Sequence, residues 1–335
     1  MVARELAARG AKVHMVCRNQ AKGDAAAGEL AQATGRDLKT HFVVHQADLA
    51  RPVEVKRFAK DFAAKYGDRL DALVNNAGSL ASDRILTPDG LEATFAVNEL
   101  GTYILTECLI PTLQKTPGSR VVTVTSAGML TERLDAADPQ GALKWDGTRA
   151  YSKHKRAQVE LTHHWAVAYP GIQFLSVHPG WADTPGVKSS LPSFYSKNQS
   201  SLRTPEQGAD SILWCSASQA AGQLANGVFV EDRHIADEHV TWGGTATVPG
   251  DLEKLIRYLN ELSSKYPVDG VPEPVQVEKP SGAVVNASAG ADAGDKQKED
   301  EKVNDEPVKD KADNNDNNDN KEELIEEEEE KKESQ

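Results

Sequence analysis

The chain has 335 residues, of which 39% are hydrophobic and 27% are charged, and its formal net charge at pH 7 is −13. Residues 267–335 contain 22 acidic and 9 basic side chains, so they carry the whole net charge, and the first 266 residues are neutral by formal count. A neutral domain offers no basic face to phosphate groups, which excludes nucleic acid from the expected partners.

The segment 267–335 also differs from the rest of the chain in residue types. It has no aromatic residue, and it includes an Asn/Asp run at 314–320 and five consecutive glutamates at 326–330. Such a segment has too little apolar surface to offset the entropy cost of ordering it. We predict one α/β domain over residues 1–266 and a disordered acidic tail over residues 267–335. The tail is either a solubilising appendage or a contact segment for an unknown basic partner.

The cysteines and the hydropathy pattern bear on the cellular compartment. Cys17, Cys108 and Cys215 are widely spaced, odd in number and form no Cys-x-x-Cys pair, which is typical of reduced intracellular thiols. No window reaches the roughly 18 apolar residues of a membrane span, and the N-terminus has no apolar signal core. We therefore expect an intracellular, cytoplasmic protein without a membrane span.

The first 75 residues alternate between helix and strand patterns. Gly10 and Gly35 follow the first two apolar periodic segments and end them as helix-terminating glycines. In chain order the predicted elements are a helix at 1–9, a strand at 12–17, a helix at 20–34, a strand at 40–46, a helix at 53–66 and a strand at 70–74.

The alternation continues to residue 264. The predicted elements are a helix at 91–113, a strand at 119–125, a loop at 127–148, a helix at 152–168, a strand at 172–177, a helix that opens at 204–205, a strand at 226–230 and a helix at 251–264. The strand at 119–125 is almost wholly β-branched, which is typical of a strand buried on both faces. Strands that alternate with helices predict a doubly wound parallel sheet with right-handed crossovers.

Ligands of doubly wound sheets bind at the carboxyl ends of the strands. Several polar or small residues directly follow a predicted strand: Arg18, Asp48, Asn75 to Gly78, Ser126 and residues 178–184. They are far apart in sequence, but parallel strands bring them to one edge of the sheet. We predict the functional site at this edge.

Tyr151 and Lys155 stand four residues apart in the segment predicted as a helix that starts near Tyr151. Residues four apart on a helix share one face, so the phenol and the amine can occupy one pocket. Tyrosine is a poor proton donor at neutral pH because its usual pKa is about 10, and a fixed positive charge nearby favours the phenolate. The spacing alone is common by chance and has meaning only with the strand-end residues.

These residues together resemble the short-chain dehydrogenase/reductase family. The resemblance rests on Asn75-Asn76-Ala77-Gly78, Asn98, Ser126, the Tyr151/Lys155 pair and Pro179-Gly180, in that order along about residues 1–245. It implies a Rossmann-like fold and the interconversion of a carbonyl and an alcohol. It also implies that Tyr151 is the general acid or base, that Ser126 holds the substrate oxygen, that Lys155 lowers the pKa of the phenol and binds the nicotinamide ribose, and that Asn98 supports a proton-relay water.

The same resemblance implies a nicotinamide cofactor. Arg18 ends the first predicted strand, where an acidic residue would bind a ribose 2′-hydroxyl, so it favours the 2′-phosphate of NADP over NAD. Asp48 and Leu49 would border the adenine. The other implied cofactor contacts are Asn76, Ala77, Gly78, Tyr151, Lys155, Pro179, Gly180 and Thr184. No metal is expected, because the adjacent His163 and His164 point to different helix faces.

One departure from the family pattern concerns the N-terminus. The family begins with a strand and a Thr-Gly-x-x-x-Gly-x-Gly turn, whereas Met1 of this chain falls in the helix that follows that turn. The turn supplies backbone N–H groups to the pyrophosphate. The strands at 12–17 and 70–74 should then face a gap with unpaired backbone groups. We expect the missing strand and turn to lie in frame upstream of Met1.

Two functions follow from these patterns. The first is an NADP(H)-dependent oxidoreductase acting on a small lipophilic carbonyl or alcohol, with an apolar pocket formed by Leu130, Leu134, Trp145, Trp181, Leu191, Phe194 and Tyr195 unless these residues serve ordinary packing. The second is a catalytically silent binding module, which the missing turn favours. The helices at 91–113 and 152–168 resemble those that pair in family dimers, so a homodimer is possible.

Overall fold

A computed structural model describes residues 1–241 and 243–271 of the chain. Nearly all of the predicted acidic tail lies outside the described residues. The helices are α1 Val2–Ala8, α2 Gln20–Thr34, α3 Leu38–His41, α4 Pro52–Tyr66, α5 Ala93–Phe95, α6 Thr102–Leu113, α7 Gly147–Ala168, α8 Pro185–Ser190, α9 Pro192–Asn198, α10 Pro205–Ala217 and α11 Asp251–Ser264. The strands are β1 Val13–Cys17, β2 Phe42–Gln46, β3 Ala72–Asn75, β4 Arg120–Val124, β5 Gln173–His178, β6 Phe229–Glu231 and β7 His234–Ile235.

The strands form two separate sheets. β1 and β2 make a two-stranded parallel sheet, and β3 to β7 make a five-stranded sheet in that order, parallel except for β7. This confirms the predicted parallel α/β architecture. It also confirms the predicted gap, because within the described residues β1 pairs along one edge only and β3 pairs only with β4.

The burial of the strands follows from this split. All five residues of β1 are half-buried, whereas β4 and β5 are buried except for their first residues. A strand paired along one edge leaves backbone groups and parts of its side chains accessible, whereas β4 lies between two neighbours. The split therefore exposes the strands that lead to the predicted cofactor contacts.

The main core lies between the five-stranded sheet and the helices α4, α6, α7 and α11. Leu255 and Leu259 of α11 are fully buried in the same cluster as Trp165 of α7. The Tyr103 hydroxyl of α6 donates a hydrogen bond to Asn260 Oδ1 of α11 at 2.7 Å. The helix α11 thus packs on the helix pair that the resemblance would join between two copies, and the homodimer remains a prediction without support from the structure.

The predicted helix at 91–113 runs from Ala93 to Leu113 and contains a π-helical turn that was not predicted. Glu92 caps the short helix α5 by accepting hydrogen bonds from the Thr94 and Phe95 N–H groups, a π-helical turn follows over Ala96–Gly101, and α6 begins at Thr102. A π-helical turn inserts an extra residue into the helical ladder and is frequent at functional sites. Periodicity of apolar residues did not reveal this local widening, which contains Asn98.

The helix that carries Tyr151 begins earlier than predicted. Asp146 accepts a hydrogen bond from the Arg149 N–H at 2.9 Å and caps α7, which starts at Gly147 instead of Ser152. Aspartate is a preferred N-cap residue. Tyr151 therefore lies in the second turn of a continuous helix, so the backbone holds both Tyr151 and Lys155 in a fixed relation.

Several smaller elements were not predicted. They are the helices α3, α8 and α9 and the edge strand β7. The strand predicted to start at residue 226 begins instead at Phe229, because Asn226 bonds the Phe174 N–H at 2.6 Å and the Ile172 carbonyl at 2.8 Å through its side chain. An asparagine that satisfies neighbouring backbone groups in this way anchors a loop.

Candidate active site

Three neighbouring strands deliver the residues of the candidate site. Asn76, Ala77 and Gly78 follow β3 and are exposed, Ser126 follows β4 and is buried, and Pro179 follows β5. The pairing of β3 with β4 and of β4 with β5 places these strand ends side by side. The structure therefore gathers the residues that the sequence predicted at one edge of the sheet.

Ser126 and Tyr151 meet directly. The Ser126 side chain lies beside the Tyr151 phenol and affects its pKa, and Ser126 Oγ accepts the Gly128 N–H at 3.2 Å, which caps a short helical turn over Ala127–Thr131. Burial raises the pKa of the Tyr151 phenol, and the Ser126 side chain opposes that rise. Burial is the largest cause of this shift, and the expected lowering of the pKa by Lys155 stays a prediction.

Lys155 is buried beside these two residues. Its Nζ lies 5.4 Å from the centre of the Tyr151 ring and donates hydrogen bonds to Val124 O at 2.8 Å and to Gln158 Oε1 at 3.1 Å. Burial lowers the pKa of Lys155 to about 7, because the ammonium has lost its water without gaining a carboxylate. The amine is therefore balanced between its charged and neutral forms near neutral pH.

Asn98 fixes the loop that follows β3. Its side chain makes two hydrogen bonds of 2.8 Å with the backbone of Ser79, accepting from the N–H and donating to the carbonyl oxygen. A Cβ on Gly78 would lie 3.3 Å from Lys155 Nζ and 3.5 Å from Asn98 Oδ1. The glycine therefore allows the loop to pass close to the buried amine, and Asn98 holds the loop there.

The remaining predicted cofactor residues lie near β1 and β2. Arg18 is exposed, and its guanidinium forms no ion pair within the described part of the chain. Asp48 Oδ1 accepts the Ala50 N–H at 3.0 Å, and the Leu49 carbonyl packs so closely on Gly101 that a side chain there would clash. Asp48 and Leu49 thus have structural partners, while Arg18 stays available to a ligand.

The loop after β5 depends on Gly180 and Arg203. Gly180 has φ +75°, and the Arg203 guanidinium packs against it while forming a two-pronged ion pair with Asp232 at 2.6 and 2.7 Å. Thr184 Oγ1 accepts the Val187 N–H at 3.2 Å and caps α8. The backbone course of this loop therefore requires glycine at position 180.

Replacing Gly180 with alanine should lower the free energy of unfolding by about 1–3 kcal/mol, because the backbone is left-handed and the added carbon would lie about 2.5 Å from the Arg203 guanidinium. Urea unfolding measures the change. Gly28→Ala in α2 is the matched control. An added Cβ at Gly28 would have no neighbouring atom within 4 Å, so this change should raise the free energy of unfolding by about 0.5–1 kcal/mol. Equal stability of Gly180→Ala and the parent chain would contradict this account of the loop.

The apolar residues predicted to line a substrate pocket divide into two groups. Leu134 is 3% exposed and belongs to the main core, and Leu130 packs on a small cluster with Met129, so both serve packing. Trp181 and Phe194 instead form an accessible pair with ring centres 4.4 Å apart, one after β5 and the other on α9. The other predicted pocket residues, Trp145, Leu191 and Tyr195, are half-buried.

A sequence model described as short chain dehydrogenase matches residues 1–193 of the chain. The chain belongs to this family. "Dehydrogenase/reductase SDR family member 12" of Bos taurus is 42% identical over 265 residues, which cover 79% of this chain and 82% of that protein. "Retinol dehydrogenase 11" of Homo sapiens is 32% identical over 250 residues, which cover 72% and 74% of the two chains.

A solved structure carries the same fold. The crystal structure of an uncharacterized protein from Mycobacterium paratuberculosis superposes with a TM-score of 0.56 at 26% identity, covering 80% of this chain and 90% of that chain. The short chain dehydrogenase fold, its parallel sheet and its class as an oxidoreductase that uses NAD(P) are thereby those of this chain.

The residues present fit part of a nicotinamide dinucleotide. The exposed Arg18 suits a phosphate, and the Gly78 backbone lies against the Lys155 amine at the strand ends. The sequence has no Gly-x-x-x-Gly-x-Gly run for the pyrophosphate. In the described residues, no helix is both long enough and apolar enough to cross a membrane.

His178, in the predicted strand-end segment 178–184, accepts the Ala127 N–H through Nδ1 at 3.1 Å and so anchors the residue after Ser126. Sequence reasoning missed one residue next to the short chain dehydrogenase site. Gln158 bonds Lys155 and was not considered. Its spacing of three from Lys155 on a predicted helix was the available signal, because residues three apart share a helix face.

Proposed function

We propose that this short chain dehydrogenase interconverts a small lipophilic carbonyl and the corresponding alcohol, with NADP(H) as cofactor. The observation that carries the proposal is the group formed by Ser126, Tyr151 and Lys155, in which the Ser126 side chain interacts with the phenol and the amine lies 5.4 Å from the centre of the phenol ring. These are the side chains that the protonation of a developing alkoxide requires.

Each residue has a role in the reduction of a carbonyl. A bound nicotinamide would supply the hydride. Tyr151 donates its phenolic proton to the carbonyl oxygen as negative charge develops there, and Ser126 donates a hydrogen bond to the same oxygen. Lys155 in its ammonium form stabilises the phenolate that remains. In alcohol oxidation, the Tyr151 phenolate accepts the proton instead.

The substrate class is proposed from the relatives and from the accessible apolar pair. Retinol dehydrogenase 11 acts, by its name, on retinol, an apolar alcohol. Trp181 and Phe194 offer aromatic surface after β5, where a lipophilic chain can pack with its oxygen toward Ser126. The proposal predicts turnover of apolar aldehydes or ketones in preference to charged ones.

Titration of the chain with NADPH in a calorimeter, followed by an assay of NADPH oxidation with apolar aldehydes, tests the proposal. Micromolar binding and turnover support it. The absence of NADPH oxidation with a panel of apolar and polar carbonyls, in the presence of measured binding, would contradict it.

Arg18→Ala should weaken NADPH binding about 10-fold or more, because a charge-assisted contact to a phosphate contributes roughly 1.5–3 kcal/mol. NADH has no 2′-phosphate, so its affinity should change little. Arg57→Ala, which removes an exposed arginine of α4, is the matched control. Equal weakening of NADPH and NADH binding by Arg18→Ala would remove the argument for NADP.

A specific observation favours a second candidate function. β1 and β3 each pair along one edge only in the described residues. The second candidate is a catalytically silent binding module, with residues 267–335 as an acidic contact segment. Failure to bind NADPH would favour it, and loss of a partner on deletion of residues 267–335 would support the role of the acidic segment.

A further inference from the structure

Gln158 occupies a position between two residues of the candidate site. It lies on α7, three residues after Lys155, and its side chain is fully buried. Its Nε2 donates a hydrogen bond to the backbone oxygen of Asn98 at 2.6 Å, and its Oε1 accepts one from Lys155 Nζ at 3.1 Å. The amide thus links α7 to the π-helical turn that contains Asn98.

The orientation of this amide is determined by its partners. A backbone carbonyl only accepts hydrogen bonds, so the NH₂ group of Gln158 must face Asn98 and the amide oxygen must face Lys155. A rotated amide would place two acceptors against each other and two donors against each other, in a buried site where unsatisfied polar groups are costly. The oxygen is therefore always presented to the amine.

We propose that Gln158 is a positioning residue that holds the Lys155 amine in place between the Asn98 backbone and the Tyr151 phenol. Val124 O and Gln158 Oε1 are the two acceptors that bond Nζ, and both come from rigid elements, a buried strand and a helix. These two hydrogen bonds fix the direction in which the amine points. The catalytic role of the Lys155 amine that Gln158 holds in place rests on the proposed function.

The link also differs chemically from the relay water expected from the sequence. An amide donates through nitrogen and accepts through oxygen, and it passes no proton from one side to the other without changing its bonding. The Asn98 carbonyl oxygen accepts a hydrogen bond from Gln158 Nε2, and the Asn98 side chain is hydrogen-bonded to the Ser79 backbone. The connection from Asn98 to Lys155 through Gln158 therefore fixes geometry and supports the ammonium, but it transfers no proton.

The hydrogen bond from Lys155 has a consequence that can be measured without turnover. An acceptor close to Nζ stabilises the ammonium relative to the neutral amine, so its removal disfavours the charged form. In Gln158→Met, which keeps the length of the side chain and removes both hydrogen bonds, the titration midpoint of Lys155 should fall by roughly one pH unit. Selective ¹³C,¹⁵N-lysine labelling and NMR of the Cε–Nζ group measure the midpoint, with Lys155→Met used to assign the signal.

Gln173→Met is the matched control. The Gln173 side chain also donates to backbone carbonyls, those of Ala221 and Leu224, but it lies at the start of β5 and does not touch Lys155. Its replacement should leave the Lys155 midpoint unchanged. If Gln158→Met does not fold, Gln158→Asn, whose shorter amide cannot span both partners, should also lower the midpoint.

The possible outcomes separate this inference from the proposed function. A lowered Lys155 midpoint in the Gln158 variant, together with an unchanged midpoint in Gln173→Met, supports the positioning role. A midpoint equal to that of the parent chain overturns it, whether or not the chain turns over carbonyls. Absence of NADPH oxidation with a lowered midpoint would instead count against the proposed function and leave the link between Gln158 and Lys155 intact.

Discussion

Replacing Tyr151 with phenylalanine is expected to lower the rate of NADPH-dependent carbonyl reduction by about 10²–10⁴-fold, the usual contribution of a positioned general acid. Only the phenolic oxygen is lost, and with it its interaction with the Ser126 side chain. A neutral hydrogen bond contributes about 1 kcal/mol to folding, so the variant should remain folded. The rate constant at saturating NADPH and the urea midpoint together measure the two effects.

Tyr169→Phe is the matched control for this experiment. Tyr169 follows α7 and bonds Glu107 through its hydroxyl at 3.2 Å, away from Ser126. Removing this hydroxyl should change stability by a similar amount and leave turnover near that of the parent chain. If Tyr151→Phe retains half or more of the parent rate, the role assigned to the phenol is wrong.

Replacing Lys155 with methionine should change how stability depends on pH. The folded-state pKa of Lys155 is about 7, below the value of 10.5 for an unperturbed lysine. Below pH 7 both states are charged, and the folded state bears the full cost of a buried ammonium. As the pH rises from 7 to 10.5 the folded state loses its proton first, so this cost disappears and stability rises.

The size of this effect follows from the difference between the folded-state pKa of about 7 and the unperturbed pKa of 10.5. A difference of one pKa unit corresponds to about 1.4 kcal/mol, so the full difference corresponds to roughly 4–5 kcal/mol. Methionine carries no charge, so the variant does not bear the cost of a buried ammonium. Its free energy of unfolding should exceed that of the parent chain by the most near pH 6, and the excess should shrink by roughly 4–5 kcal/mol by pH 10. Urea unfolding of both proteins across this pH range measures the difference.

Leu161→Ala in the same helix serves as the control for the pH experiment. Leu161 is fully buried and has no titratable group, so its truncation should cost about 2–5 kcal/mol at every pH in the range. A difference between Lys155→Met and the parent chain that stays constant from pH 6 to pH 10 would contradict a buried, weakly basic lysine.

Much of the fold followed from local patterns in the sequence. The helices α2 and α11 begin and end at the predicted residues, and the strand that leads to Ser126 was placed within one residue at each end. Such elements depend on neighbours along the chain, on capping residues such as Asn19 and on apolar periodicity. The order of the strand ends, from Asn76 to Ser126, then followed from the rule for parallel sheets.

Other features did not show in the apolar periodicity that sequence reasoning uses. They are the π-helical turn at Ala96–Gly101 and the start of α7 at Gly147, which the Asp146 cap sets. The link from Gln158 to Asn98 spans 60 residues. Contacts of this kind arise only when elements pack, so spacing along the chain did not reveal them.

By itself, the sequence determined that the chain alternates helices and strands, which residues stand at the strand ends, and that Tyr151 and Lys155 share a helix face. Only the tertiary structure decided the electrostatic state of the site, because burial and the nearest acceptors set the pKa of a side chain. In this protein the surrounding packing lowers the pKa of Lys155 and raises that of Tyr151.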